Sequence, residues 1–367
     1  MQLLKLSIAG FRNLQQDEIT FAPGANIIIG ENAQGKTSLL EAIYYLTGAK
    51  SFRTRFDREL ITHNQDFATI AAACFSEARE QTIELKLRRG RPKEILINNA
   101  KQKRGADLTG KVMAVLFSPE DLELVRSGAS GRRRFMDNSL SQLRPKYALW
   151  LAEFQKLYEH KTRILKDHRA KPALLDTLDD FNLKLAKAGA QLIHYRAAYA
   201  EQLAPKAAAV HQDFSGNREE LTLTYETVST IENPLEKPAV LFEQLLAHQT
   251  RLRQAEIDAG LCLSGAHKDD IAISINGQAA RAYASQGQTR TAALSLKLAE
   301  RDMLYEDREE YPLLLLDDVL SELDAARQDF VLNRIKNGQV FITCCEDKGI
   351  ASRTGGKIFT VEKGRIQ

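Results

Sequence analysis

The stretch NIIIGENAQGKTSLLEAIYYLTGA, Asn26 to Ala49, constrains this chain more than any other. A short apolar run, Ile27 to Ile29, breaks into a glycine-bounded loop and then into residues of helical period. The loop fits G-x-x-x-x-G-K-[ST] as Gly30, Glu31, Asn32, Ala33, Gln34, Gly35, Lys36 and Thr37. Gly30 and Gly35 let the backbone turn tightly and lay successive N–H groups against phosphate oxygens. The helix starting near Lys36 adds unpaired N–H donors and the positive end of its dipole. Lys36 supplies a mobile charge for the β- and γ-phosphates, and the Thr37 hydroxyl is placed to ligate Mg²⁺. Leu39, Leu40, Ile43 and Tyr44 recur at helical spacing, so a helix is predicted after the loop. The pattern predicts a P-loop for ATP.

The remainder of the chain must say what the loop drives. At 367 residues there is room for two domains, or for one large domain with an insertion. No apolar stretch approaches the ~20 residues that span a bilayer, and the start, MQLLKLSIAGFRN, lacks a signal-peptide pattern, so no membrane is expected. Cys74, Cys262, Cys344 and Cys345 have no C-x-x-C spacing, as expected of reduced thiols in a cytoplasmic protein. The net charge of +3 decides little, but its distribution is uneven. Eight basic residues and one acid, Glu94, lie between Lys86 and Arg104. Lys50, Arg53, Arg55 and Arg58 form a second cluster, and Arg132, Arg133 and Arg134 a third. Each reads either as a footprint for nucleic acid or as a solvated loop or hairpin face.

Strand signals dominate the first part: Leu3–Ile8, Ile27–Ile29, Thr69–Phe75, Ile83–Leu87, Ile95–Ile97 and Val112–Phe117, with a hairpin turn at Arg89-Gly90-Arg91-Pro92. From about Gly131 to His211 helical spacing takes over, and a break near Lys171-Pro172 predicts two long antiparallel helices. A further helix is predicted over Pro238–Ala259, then a strand, Ile271–Ile275, closed by the hairpin signal Asn276-Gly277. The expected architecture is one α/β domain made from both chain ends, interrupted by a helical lobe. Its parts are 1–120, 121–260 for the lobe, and 261–367.

Two later stretches partner the loop. In YPLLLLDDVLSELD, Tyr311 to Asp324, four leucines predict a buried parallel strand ending in Asp317 and Asp318. Carboxylates at such a strand end can bind Mg²⁺ and orient a water at the γ-phosphate, a Walker B arrangement. An acidic helix cap is the plainer alternative. In SQGQTRTAALSLKLAERD, Ser285 to Asp302, a serine and a tight glycine open a long helix, a second phosphate site. A plain serine-capped helix is the alternative there.

Loop, signature helix and acidic strand in this order resemble an ABC-type ATPase head of the SMC-like class. GFRNL at Gly10–Leu14, the loop, FSPEDLELV at Phe117–Val125, SQGQTRT and LLLLDDVLSELD together are similar to the RecF family of bacterial DNA repair proteins, over essentially the full chain. That resemblance implies ATP on Gly30–Thr37, with Lys36 on phosphate, and Mg²⁺ on Thr37 and Asp317. It implies a catalytic role for Asp318, one methylene shorter than the usual Glu, and slow hydrolysis. Ser285, Gly287 and Gln288 would meet the γ-phosphate of a second subunit, and Arg12 and Asn13 would contact nucleotide. Glu120 stands near the position of a Q-loop glutamine. Cys344 stands where many ABC proteins carry a switch histidine. The implied partners are DNA, single-stranded or at duplex–single-strand junctions and gaps, a second copy of the chain bound in an ATP-dependent homodimer, and RecO and RecR. The implied role is loading a recombinase, with support for replication and the SOS response. The block SGAHKDD, Ser264 to Asp270, also resembles the family but has no assigned chemistry, and His267 in it reads as a structural histidine. A metabolic P-loop kinase has no use for the signature helix. An ABC transporter subunit is disfavoured by the helical insertion, the absent histidine and the basic clusters.

Overall fold

The computed structural model describes residues 1–367 apart from Arg55, Ser127 and Lys348 and the side chain of Ala106. In chain order the first elements are β1 (Gln2–Ala9), β2 (Asp17–Thr20), β3 (Ala25–Ile29), α1 (Lys36–Tyr45), β4 (Phe67–Ser76), β5 (Arg79–Arg88), β6 (Arg91–Ile97), β7 (Ala100–Lys101) and β8 (Ala114–Phe117). Then come α2 (Ala129–Leu143), α3 (Pro145–Asp167), α4 (Leu178–Ser215), β9 (Leu221–Glu226), α5 (Pro238–Ala259), β10 (Asp270–Ile275), β11 (Gln278–Ala279) and α6 (Ala280–Tyr283). The last are α7 (Gln286–Arg308), β12 (Leu313–Asp317), α8 (Ala325–Arg334), β13 (Val340–Cys344), α9 (Ile350–Thr354), β14 (Lys357–Glu362) and β15 (Arg365–Ile366).

The chain divides into two compact units, Met1–Glu123 with Ala293–Gln367, and Leu124–Ala292. The first unit is α/β and is made from both chain ends. An antiparallel sheet runs β2-β1-β4-β5-β6-β7, and a second sheet runs β15-β14-β3-β13-β12-β8. In the second sheet β14, β3, β13, β12 and β8 are parallel. Every residue of β12 is buried, which is why its leucines do not alternate with polar residues. Helix α1 is buried all round, Thr37 apart. Its Leu39, Leu40 and Ile43 share one core with Leu6 and Ile8 of β1, Ile70 of β4, and Leu313 and Phe341 of the parallel sheet.

The second unit holds α2 to α6, the three-stranded sheet β11-β10-β9 and the start of α7. Three helices, not two, fill the region from 129 to 215. The missed break is at Arg144, where Pro145 opens α3, since a proline lacks the N–H that a continuing helix needs. Leu261–Ala292, expected in the C-terminal part of the α/β head, lies instead in the second unit. The cause is pairing: β10 runs antiparallel to β9 along its whole length, from Asp270↔Glu226 to Ile275↔Leu221. Asn276 (φ 51) and Gly277 (φ 75) make the expected hairpin turn to β11.

The second unit is knit by buried ion pairs, and these account for SGAHKDD. Fully buried Asp269 accepts from Arg196 Nη1 at 2.7 Å and from Thr227 Oγ1 at 2.7 Å. Arg196 also pairs with Asp137 at 2.8 Å and donates to Ala266 O at 2.7 Å. Asp270 takes both prongs of buried Arg132, at 2.7 and 2.8 Å. Ser264 shares a hydrogen bond with His248 Nδ1 at 2.7 Å. His267 Nε2 lies 3.0 Å from Cys262 O, and burial pushes its pKa down to about 4, so it is neutral in the fold. Among the described residues no helix is long and apolar enough to cross a membrane.

Candidate functional site

The site grows out of the turn between β3 and α1. Ala33 (φ 65) and Gly35 (φ 122) bend the loop through left-handed backbone. A Cβ on Gly35 would lie 2.9 Å from Leu14 Cδ2, and one on Gly30 would lie 2.5 Å from Val361 O. Glycine is thus required at both ends, by conformation at Gly35 and by close packing at Gly30. Two of the expected nucleotide contacts brace the loop. Asn13 Nδ2 donates to Ala33 O at 3.1 Å, and its Oδ1 accepts from Ser38 Oγ at 2.8 Å. Gln34 Oε1 accepts from Lys363 N at 2.6 Å, and its backbone O from Gly364 N at 3.0 Å.

Lys36 Nζ curls back over the loop, donating to Gly30 O at 2.5 Å and Glu31 O at 3.0 Å. These carbonyls hold the ammonium at the loop mouth, where a phosphate oxygen would be a stronger, charged acceptor. Thr37 Oγ1 donates to Asp317 Oδ1 at 3.0 Å, joining residues 280 apart in sequence. Thr343 Oγ1, on the neighbouring strand β13, donates to the same oxygen at 2.9 Å. Asp317 is buried, and burial raises its pKa against the two threonine hydrogen bonds. Among the described residues it has no ion-pair partner. A buried carboxylate beside a hydroxyl and lacking a cation fits Mg²⁺, which takes one or two protein oxygens and completes its shell with phosphate and water. Asp318 (φ 54) turns away from the strand line and lines the adjoining cleft. Its N–H is held by Thr343 Oγ1 at 2.8 Å and its Oδ1 accepts from Ser321 Oγ at 3.1 Å.

That cleft, of about 800 Å³, is lined by Glu31, Asn32, Ala33, Gly35, Lys36 and Thr37 at one end. Arg12 and Asn13 line it too. Arg12 is committed to buried Glu41 through both prongs, at 2.8 Å each, and donates to Glu59 O at 3.0 Å. Arg53, Arg58, His63 and Arg89 line it as well, and none of them was expected there. The signal in the sequence was the two basic clusters to which Arg53, Arg58 and Arg89 belong. Their convergence needs the short helical turn Asp57–Leu60 and the β5–β6 turn to meet, which no local pattern encodes. Arg55, of the same cluster, lies outside the described residues.

Other expected positions fall differently. Glu120 is exposed and does not line the cleft. Cys344 is buried as the last residue of β13, so its thiol is not the group presented to the loop. The exposed neighbour Cys345 is: its Sγ lies 3.3 Å from Asn32 Oδ1 and 3.7 Å from Lys36 Nζ. Arg132, from the third basic cluster, is spent on Asp270.

Ser285, Gly287 and Gln288 lie in the second unit, at the start of α7. Gln288 N donates to Ser285 Oγ at 3.2 Å, and Ser285 N to Gln288 Oε1 at 2.8 Å. This reciprocal pair is a capping box, spelled S-x-x-Q in the sequence. Gln288 Nε2 also donates to Glu219 Oε1 at 2.9 Å, and Gly287 O accepts from Thr291 Oγ1 at 3.0 Å. Ser285 itself is exposed.

Residues 2–366 match the family model described as RecF/RecN/SMC N terminal domain. The chain is 38% identical over 365 residues to a DNA replication and repair protein RecF of Alkaliphilus oremlandii, covering 99% of each. It is 37% identical over 373 residues to the RecF of Bacillus subtilis strain 168, covering 100% of each. Among solved structures, that of the recombination mediator protein RecF-ATPrS in the RecFOR pathway superposes with a TM-score of 0.92 at 32% identity, over 100% of this chain and 97% of that one. The Smc head domain of Pyrococcus furiosus superposes with a TM-score of 0.56 at 17% identity, over 100% of this chain and 95% of that one, a likeness of fold alone.

Proposed function

The chain belongs to the RecF family, and on that premise we propose that it is an ATP-dependent DNA-binding clamp of recombinational repair. The observation that carries this reading is the contact of Thr37 Oγ1 with Asp317 Oδ1, with Asp318 next along the chain and lining the cleft. It supports a reading in which the loop holds phosphate, Thr37 and Asp317 hold a metal ion, and Asp318 orients water. Relatives identical over their full length at 37 to 38%, named for DNA replication and repair, support the biological setting.

In this reading ATP is the substrate, held by the loop N–H groups and Lys36. Mg²⁺ on Thr37 and Asp317 would neutralise charge that develops on the phosphates. Asp318 orients the attacking water, and its short side chain keeps turnover slow. Ser285, Gly287 and Gln288 of one protomer cap the γ-phosphate held by its partner, so two nucleotides are buried in a head-to-tail homodimer. Nucleotide that binds the dimer better than the monomer shifts that equilibrium by mass action. DNA binds the dimer, at single-stranded gaps and duplex–single-strand junctions, and stimulates hydrolysis, which reopens it. RecO and RecR act with the clamp to load recombinase, in the cytoplasm, in support of replication and the SOS response.

The test is mass by light scattering against ATP, with and without gapped DNA, beside ATP turnover. The wild type should dimerise with ATP and hydrolyse it faster with DNA. Asp318→Asn should bind ATP and give a long-lived dimer, with hydrolysis lower by about 100-fold or more. Wild-type turnover in Asp318→Asn moves the catalytic role elsewhere, and a monomer at saturating ATP ends the clamp reading.

A further inference from the structure

A second, smaller cavity of about 170 Å³ adjoins the nucleotide cleft and shares Arg58 and Ile61 with it. Its other charged lining is Arg88, Arg91, Lys93 and one acid, Asp57. Four cations thus face one carboxylate. Among the described residues Arg58, Arg88 and Arg91 are in no ion pair. Arg88 and Arg91 sit directly opposite each other across the β5–β6 turn, an arrangement that is unfavourable for like charges. Lys93 is half-buried against Tyr45, with its Nζ 3.3 Å from the hydroxyl and 4.5 Å from the ring centroid. Burial there lowers the lysine's pKa, an energetic cost that a bound anion offsets.

Exposed aromatic rings adjoin two of these cations as well. Phe67 is 56% exposed and lies directly opposite Arg88 on the neighbouring strand. Phe67, Arg88 and Arg91 therefore form a row across β4, β5 and β6, one aromatic followed by two cations. Phe56 is 48% exposed, with the Arg58 guanidinium 4.9 Å above its ring. A site for a free anion closes around it and has no use for exposed rings. Cations interleaved with exposed aromatics suit a strand that offers phosphates and unstacked bases together, whereas duplex DNA keeps its bases stacked.

We infer that this cavity is a phosphate subsite for single-stranded nucleic acid, in which Arg58, Arg88, Arg91 and Lys93 hold a phosphodiester while a neighbouring base stacks on Phe67. The inference rests on the proposed DNA-binding role and gives it a surface. Because Arg58 also lines the nucleotide cleft, strand and nucleotide touch the same side chain, and this gives a direct route for DNA to influence turnover.

The experiment uses the full chain, a labelled oligothymidine, a duplex and inorganic phosphate. Arg88→Gln with Arg91→Gln, both exposed, should weaken oligothymidine binding and make log K against log salt shallower by up to ~0.7, the slope of one lost phosphate contact. Phe67→Ser should weaken it about tenfold with the salt slope unchanged. ATP affinity should hold in both variants. Oligothymidine should protect Lys93 from acylation, read by mass spectrometry. Unchanged affinity and slope in the arginine variant overturn the assignment while leaving DNA binding as such intact. So does protection of Lys93 by inorganic phosphate but not by bound oligothymidine, which makes the cavity a free-anion site. Equal loss of duplex binding, with Phe67→Ser silent, overturns the single-strand assignment. If the wild type binds no DNA, the proposed function itself falls, and the inference with it.

Discussion

Both units hold buried ion pairs, such as Arg12 with Glu41 in the first, but several of their cations are neutralised differently. In the second unit Arg196 meets Asp137 and Asp269, Arg132 meets Asp270, and Lys161 meets Glu256 at 2.6 Å with both side chains fully buried. Each of these three cations has its carboxylate inside the fold. In the first unit Lys36 bonds two backbone carbonyl oxygens and the Cys345 sulfur, while Arg58, Arg88 and Arg91 lack a carboxylate partner among the described residues. Clusters that look alike as sequence therefore differ in the fold. A neutralised cluster is scaffold, whereas an unneutralised one around a cavity is available to an external anion. Asp269, Asp270 and Arg132 belong to the first kind. At the cleft, Arg53 reaches Glu41 at 3.7 Å, and Arg58 belongs to the second kind.

The contrast breaks most sharply at Arg196. Arg196→Met leaves fully buried Asp269, and half-buried Asp137, without their cation, and should cost about 3–5 kcal/mol of unfolding free energy. Urea denaturation measures this, and a loss below ~1 kcal/mol would show that the network is not what holds the second unit together. Lys36 is the matching test in the first unit. Lys36→Ala removes a charged donor to phosphate, worth about 3 kcal/mol, so ATP affinity should fall about 100-fold while the urea midpoint scarcely moves. If the variant titrates with ATP as the wild type does, Gly30–Thr37 is not the phosphate loop of a working site.

His267 sharpens the same contrast through pH. Its folded pKa of about 4 lies below the ordinary 6.5, so the unfolded chain takes up the proton first as pH falls. The stability it contributes is complete above 6.5 and is lost on descending to about 4, roughly 3 kcal/mol in all. His248 and His211, whose pKa values burial also lowers, add slope of the same sign. His267→Gln keeps a donor for Cys262 O and removes one titration. Unfolding free energy followed from pH 7 downwards should fall less steeply in the variant, and identical profiles would assign the acid limb to the other two histidines.

What was legible in the sequence follows from how local its causes are. The loop was read residue by residue because glycine, lysine and threonine act within one turn. Asp317 was placed because four leucines mark a buried strand and its end. Arg53, Arg58 and Arg89 were not, since their meeting depends on how a helical turn and a hairpin pack together. Cys345 was missed by one residue because strand ends are set by pairing: β13 continues to Cys344↔Ile29. The placement of Leu261–Ala292 failed for the same reason, because β10 pairs with β9 rather than joining the parallel sheet. Pro145 was legible and overlooked; the serine cap at Ser285 was read as the plain alternative, and only its reciprocal bond to Gln288 went unread.

Ser285 is where the two roles of a polar residue, scaffold and contact, can be separated within one side chain. Its hydroxyl caps α7, so Ser285→Ala should cost about 1 kcal/mol of stability whatever else the residue does. Loss of dimerisation in that variant would be ambiguous. Asparagine caps helices as well as serine, so Ser285→Asn should keep the unfolding free energy within about 0.5 kcal/mol. Its larger amide, however, would intrude where a partner's γ-phosphate is to be capped. Ser285→Arg puts a bulky cation at the same point. In the proposed dimer both variants bind ATP as monomers, stay monomeric at ATP concentrations that dimerise the wild type, and hydrolyse poorly. If Ser285→Asn and Ser285→Arg dimerise with ATP as tightly as the wild type, Ser285 is a helix cap and nothing more, and capping between subunits must be sought elsewhere.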